Sequence, residues 1–221
     1  MKRISFLIGI LVLGLFIASN FGTSAENNSI VERFSVGEKV SAEEATGTYN
    51  LDKAHSSIGF RVKHMGLVEV PGYFRDFVGT VKYDGKDTTK STVEFSAKME
   101  SVDTGVAPRD KHLKTADFFE VEKYPEMTFK STKIEKKGKN YLLTGDLTMK
   151  GVTKQVSFPF TVAGFLTDAK GGTKMGAVAE TTINRRDFGV NYGTNMPNGV
   201  ATLSDEIKVV LNLEANKQKA Q

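Results

Sequence analysis

The chain has 221 residues but no cysteine and no tryptophan, and only three histidines and five prolines. Without cysteine there is no disulfide framework, no thiolate nucleophile, no thiolate metal site and no thioether lipid anchor, so stability must come from the core. The histidines, His55, His64 and His112, match no zinc spacing. His55 and His64 also flank a strand-like stretch that sets them roughly 25–30 Å apart, so no metal ligand set is read from them. An excess of one charge is missing as well: 30 Lys and Arg stand against 26 Asp and Glu, net +4. They are interspersed rather than clustered, which argues against a nucleic-acid partner.

What is present begins with MKRISFLIGILVLGLFIASNFGTSA. Two cations, Lys2 and Arg3, precede an uncharged run over 4–18 and the small residues Thr23, Ser24 and Ala25. This is the three-part pattern of a secretory signal peptide over residues 1–25, and it implies an exported protein, periplasmic or secreted. A retained anchor is the competing reading, for which the run is short against the ~20 apolar residues of a bilayer span. No later apolar run is long enough to be a transmembrane segment. Removing the leader leaves 221 − 25 = 196 residues, enough for one domain with a sizeable core. It also removes two cations and no acid, so the charge becomes +4 − 2 = +2. Residues 26–47, ENNSIVERFSVGEKVSAEEATG, are polar and patternless and read as a flexible spacer.

From residue 48 to 214 an alternation of period two takes over, the mark of strands with one buried face. It runs through Ile58, Phe60 and Val62; Phe77, Gly79, Val81 and Tyr83; Val93, Phe95, Ala97 and Met99; and Met127 with Phe129. It resumes from Leu143 to Met149, Val156 to Val162, Ala177 to Ile183 and Ile207 to Leu213. Glycine turns such as YDGKD, KKGKN and MKGVT join them, and short joins make sequential strands antiparallel neighbours. Residues 215–221 read as a polar tail. The expected fold is all-β: an eight-stranded antiparallel barrel, closed so that no edge remains, with a short helical crossover. The crossover falls in the long connection between Met99 and Met127, where Asp110 and Asp117 each read as the cap of a short helix.

That connection holds PRDKHLKTADFFEVEKYP, with Arg109, Asp110, His112 and Asp117 inside ten positions. Acid, base and cation are the ingredients of general acid/base catalysis. No nucleophile elbow accompanies them, so they are read as caps and ion pairs and no catalytic residue is assigned. GGTKMG at 171–176 leads into no helix and is a hairpin loop rather than a phosphate cradle. The inward parities are rich in Phe and Met, with Gly79, Ala97, Gly145, Ala177 and Ala179 interleaved. Such a lining makes either a packed core or a dry bore for one apolar ligand, and the pattern leaves both open.

Four segments in order, YNLDKAHSSIGFRVKHMG, RDKHLKTADFFEVEKYPEMTFKST, LTGDLTMKGVTKQV and INRRDFGV, resemble the YceI-like family of lipocalin-like polyisoprenoid-binding proteins. The resemblance covers roughly residues 48 to 214. It implies a lipocalin-like barrel whose apolar tunnel holds a long-chain isoprenoid, an isoprenoid quinone or a related lipid, as a ligand and with no separate cofactor. The Gly-x-Trp signature of true lipocalins is missing, since there is no tryptophan. On this reading the tunnel is lined by Phe60, Val62, Phe77, Val81, Phe95, Met99, Phe118, Phe119, Met127, Phe129, Met149, Phe158, Phe160 and Ile183. Arg109, Asp117, Arg185 and Asp187 are expected near a mouth or in structural ion pairs. A homodimer is compatible with all of this. The competing readings are a solid β-sandwich interaction module and a lipid-active enzyme using His112 and Asp117.

Overall fold

Period-two amphipathicity is realised as one antiparallel sheet of eleven strands. The computed structural model describes residues 39–219; the expected signal peptide and residues 26–38 of the expected spacer lie outside the described residues. The strands are β1 (Gly47–Leu51), β2 (Ser57–His64), β3 (Val68–Phe74), β4 (Phe77–Tyr83), β5 (Thr92–Lys98), β6 (Val102–Asp103), β7 (Glu126–Lys137), β8 (Asn140–Met149), β9 (Val152–Thr167), β10 (Thr173–Asn184) and β11 (Leu203–Lys217). One helix, α1 (Ala107–Leu113), lies in the crossover. Local turn chemistry sets the register. Between β8 and β9, Met149 faces Val152 across a two-residue loop whose Lys150 and Gly151 both have positive φ, 50° and 73°, the type I′ turn that suits a twisted hairpin.

Strand β11 closes the sheet by serving two partners. Its first part pairs with β2, with Ile207 opposite Val62 and Asn212 opposite Ser57. Its last part pairs with β1, with Ala215 opposite Leu51 and Lys217 opposite Tyr49. The ring β1–β4–β5–β7–β8–β9–β10–β11 is thereby complete, an eight-stranded barrel rather than two packed sheets, and β2, β3 and β6 branch from β11 at one end. Strand β3 carries Pro71, which lacks a donor N–H; beyond β2 it is paired only at Tyr73 and Phe74, so the proline sits where the edge is open.

Three expectations are corrected. Residues 39–47 are not free spacer: Lys39 bridges to Leu166, Ala45 is wholly buried, and the Tyr49 hydroxyl donates to the Ala45 carbonyl at 2.5 Å. Their fold is local: the Ser41 N–H donates to the Glu44 carboxylate at 3.1 Å and the Glu44 N–H to Ser41 Oγ at 3.3 Å, a capping box. At the other terminus β11 runs past residue 214 to Lys217, because Ala215 is wholly buried against β1. In the crossover, Asp110 does not cap α1. Val106 stands at that position without a side-chain bond, and Asp110 lies within the helix, accepting from the Thr104 N–H at 2.9 Å and from its hydroxyl. Turns, not a second helix, follow Asp117.

Where the ring closes, the His55 ring meets Asp52 at 2.9 Å and Lys174 donates to Glu214 at 2.6 Å. The His55 hydrogen bond is the largest cause holding the Asp52 carboxyl down at about 2, and the same bond raises the His55 pKa. A depressed carboxyl stabilises the fold above its unfolded pKa of about 4 and loses that contribution as pH falls toward 2. A raised imidazole stabilises it below about 6.5 and loses that as pH climbs through the raised value. Thermal melting of His55→Ala against the parent protein from about pH 2 to pH 9 should therefore show a gap widest between about 4 and 6.5 and narrowing on both sides. A gap constant across that range would contradict the pairing.

Candidate ligand cavity

Closing eight strands leaves an interior that the inward side chains do not fill: a cavity of about 490 Å³ runs inside the ring, within the range of small-molecule sites. Its wall is identifiable from burial. Phe60, Val62, Phe95, Phe160, Ile183, Val209 and Leu211 line the cavity yet stay only partly buried. Phe60 and Val62 reach it from β2, beside the ring; the others point inward from ring strands and keep accessible surface toward the unfilled space. The parity-chosen lining residues Val81, Phe118, Phe119, Met127, Phe129, Met149 and Phe158 also line it.

Phe77 and Met99 do not. Met99 is wholly buried one residue past the end of β5, in a 3-10 turn where strand parity no longer applies, and its N–H donates to the Pro125 carbonyl at 2.8 Å. Phe77 opens β4 opposite Ala97 and packs in the same solid cluster beneath the crossover. Ala97 is wholly buried there as well, so it does not widen the bore. Gly145 does not widen it either: a Cβ would lie 2.5 Å from Phe129 Cζ, so the missing side chain is the space that the ring occupies. Ala177 and Ala179 do face the cavity.

The lining is largely apolar and is polar in two places: where the crossover and the 189–202 loop meet, through His64, Thr104, Arg109, His112 and Tyr192, and along β4, β5 and the turn between them, through Thr80, Tyr83, Thr88, Ser91 and Glu94. Arg109 is aimed by Thr104, donating from Nε to Oγ1 at 2.7 Å and from Nη2 to the carbonyl at 2.9 Å. The His112 ring lies 2.7 Å from Asp117 and stands edge-on to Phe118 and Tyr192, with centroids 5.1 and 4.9 Å away. The pair on which an enzyme reading rests is thus present, but His112 is packed edge-on against the Phe118 and Tyr192 rings, which are themselves 4.7 Å apart. Tyr192 is 45% exposed while lining the cavity, so the cavity reaches the surface here, as it does beside the exposed lining residues Glu94 and Val178.

Arg185 and Asp187 part company. Arg185 is buried, donating from Nη1 to the Val190 carbonyl at 2.7 Å, from Nε to the Ser204 carbonyl at 3.0 Å, and from Nη2 to Asp205 at 3.0 Å. Burial pushes its pKa down and Asp205 opposes the shift. It pins the 189–202 loop to the start of β11. Asp187 is exposed and in no ion pair among the described residues, because Phe188 takes the inward place in that turn. Asp52, His55 and Glu214 bring one ligand atom each within 4.8 Å of the others. Lys174 already lies 2.6 Å from Glu214 and 3.8 Å from Asp52, which assigns the cluster to ring closure.

Arg185 was expected near a mouth or in a structural ion pair, and it is in one with Asp205; sequence reasoning missed the lining residues Leu113, Val190, Tyr192 and Leu203, which lie outside strand periodicity or at a strand's first residue. Truncating Arg185 strands two buried carbonyls, so Arg185→Met should cost about 3 kcal/mol. That lowers the melting temperature by roughly 6–12 °C. An unchanged melting temperature would show that the loop is held by other contacts.

Residues 49–215 match the family model described as the YceI-like domain. Protein YceI of Escherichia coli is 37% identical over 188 residues, 84% of this chain and 93% of that protein. Among solved structures, a Campylobacter jejuni YCEI protein aligns with TM-score 0.61 at 33% identity, covering 76% of this chain and 97% of that one. Burkholderia cenocepacia BcnA aligns with TM-score 0.65 at 27% identity, covering 74% and 98%. A polyisoprenoid binding domain from Saccharophagus degradans, implicated in plant cell wall breakdown, shares the fold at 16% identity and TM-score 0.58, covering 77% of this chain and 98% of that domain. The match spans the closed ring from β1 to β11, and the chain belongs to the YceI-like family.

Proposed function

We propose that this protein is an exported carrier that holds a long-chain isoprenoid or related lipid in its bore, for transport or storage. The observation that carries the reading is the hollow ring: apolar inward side chains only partly buried around about 490 Å³. The signal-peptide pattern at residues 1–25 supports export. The Saccharophagus degradans domain supports the ligand class, because its fold is shared and it is a polyisoprenoid binding domain.

The mechanism is burial. Each methylene moved from water into the bore gains about 0.8 kcal/mol, offset in part by ordering the chain. A lining of Phe, Val, Ile, Leu and Met presents little polarity along the barrel, so it holds a hydrocarbon chain by shape and dryness rather than by directed bonds. The polar end suits a head group. Arg109, already fixed by Thr104 through Nε and Nη2, has Nη1 left to donate, and His112 and Tyr192 stand beside it. Binding and release require no bond to be made or broken.

Filling the bore tests this. In Ala179→Trp the side chain replaces a methyl on the cavity wall, at the centre of β10. Uptake of an isoprenoid quinone from detergent solution, followed by fluorescence quenching or by native mass spectrometry, should fall at least tenfold while far-ultraviolet circular dichroism keeps its β signature. Uptake equal to the parent protein's would remove the bore as the binding site.

A further inference from the structure

A long isoprenoid chain is scarcely present in water as a monomer, so a bore of this kind fills only from a lipid surface or another carrier. The end where the cavity reaches the surface at Tyr192 carries apolar side chains that the cavity does not use. At the β2–β3 tip, Leu67 is 80% exposed and Val68 58%, with Met65 beside them. Met65 and Gly66 both take positive φ to turn this tip, and the Met65 N–H donates to the Thr202 carbonyl at 3.0 Å. That bond ties the tip to the 189–202 loop, whose exposed Val200 lies next to Gly66. The loop, GVNYGTNMPNGVAT, contains no charged residue.

The patch is continuous with the mouth. His64 pairs with Leu203, and both line the cavity with Tyr192. Exposed Val78, by contrast, sits singly on the outer wall, as isolated apolar residues do on most proteins. Most charges around the mouth are paired: Glu69 with Arg61, Asp103 with Arg75 and Asp117 with His112. Exposed Lys63 and Lys111, next in sequence to the cavity residues His64 and His112, are in no ion pair among the described residues, and neither are the exposed acids Asp187 and Glu206.

We infer that this rim is a membrane-docking surface: the Met65–Val68 tip and the uncharged loop enter the head-group region of a bilayer, with Lys63 and Lys111 facing anionic phosphates. The open end of the bore is then set against the lipid, and an isoprenoid passes between them without crossing water. The inference rests on reading the bore as an isoprenoid site. Apolar tips flanked by cations, on a loop without charge, are the composition of an interfacial anchor, and Lys63 and Lys111, held in no ion pair, are free to meet anionic phosphates.

Flotation of the purified exported protein with vesicles of phosphatidylethanolamine and phosphatidylglycerol tests it, with quinone uptake from detergent measured in parallel. The parent protein should float, and the double variant Leu67→Asp, Val68→Asp should lose about tenfold or more of the bound fraction. The same variant should take quinone from vesicles more slowly by a similar factor, yet load it from detergent normally. Val78→Asp on the outer wall should change none of these. Equal flotation of parent and tip variant would overturn the inference, as would a parent protein that does not float. A tip variant that converts a dimer to a monomer without altering flotation would assign the patch to a second copy instead. If the parent protein does not load quinone even from detergent, the bore reading fails by itself and the docking proposal falls with it.

Discussion

Pairing of β1 with the last residues of β11 is the contact on which the remaining architecture depends. It converts an open antiparallel sheet into a ring, and a ring has an inside. Once closed, period-two alternation has one meaning along every ring strand: one face toward solvent, the other toward a shared interior. That junction is reinforced where it forms. Ala45, Tyr49 and Ala215 are wholly buried against it, and the Asp52, His55, Lys174 and Glu214 network ties the β1–β2 turn to β10 and β11.

Stability and binding share one core cluster. Met99, Phe77 and Ala97 lie in its part that does not face the cavity, while Phe118, Phe119, Met127 and Phe129 in the same cluster also line it; close packing supplies the dispersion contacts that hold a fold. The middle of the barrel is left hollow. An apolar cavity forgoes those contacts and lowers stability roughly with its volume, so a ligand that fills it returns them. Loading and folding are therefore linked: a chain that binds only the folded barrel raises its stability in proportion to affinity and concentration.

Much of this was legible in the sequence, and the failures have physical causes. The inward faces of β2, β4, β8, β10 and β11 follow from alternation alone. Elsewhere a bulge interrupts it. The register of β7 shifts between Ser131 and Lys133, which brings Ile134 inward after Met127 and Phe129, and the shift at Gly176 and Ala177 does the same for Phe165 after Val162. Strand β3 was hidden by Pro71 and β1 by its brevity. Residues 39–47 look like spacer by composition, yet a Ser41–Glu44 capping box and one buried alanine fold them onto the barrel. Arg185 is in the structural ion pair that its charge suggested, but nothing local announces that the Val190 and Ser204 carbonyls and Asp205 will surround it. Arg109 and Tyr192 reach the cavity from segments with no period at all, so only the assembled fold brings them together.

The central claim is that the hollow ring holds a long apolar chain. The most direct measurement is mass spectrometry of an organic-solvent extract of the purified protein, alongside native mass spectrometry of the intact complex. The account predicts one isoprenoid-chain molecule per barrel in the extract and the matching mass increment on the protein. A barrel recovered empty that then refuses added isoprenoid quinones and other long-chain lipids would contradict it.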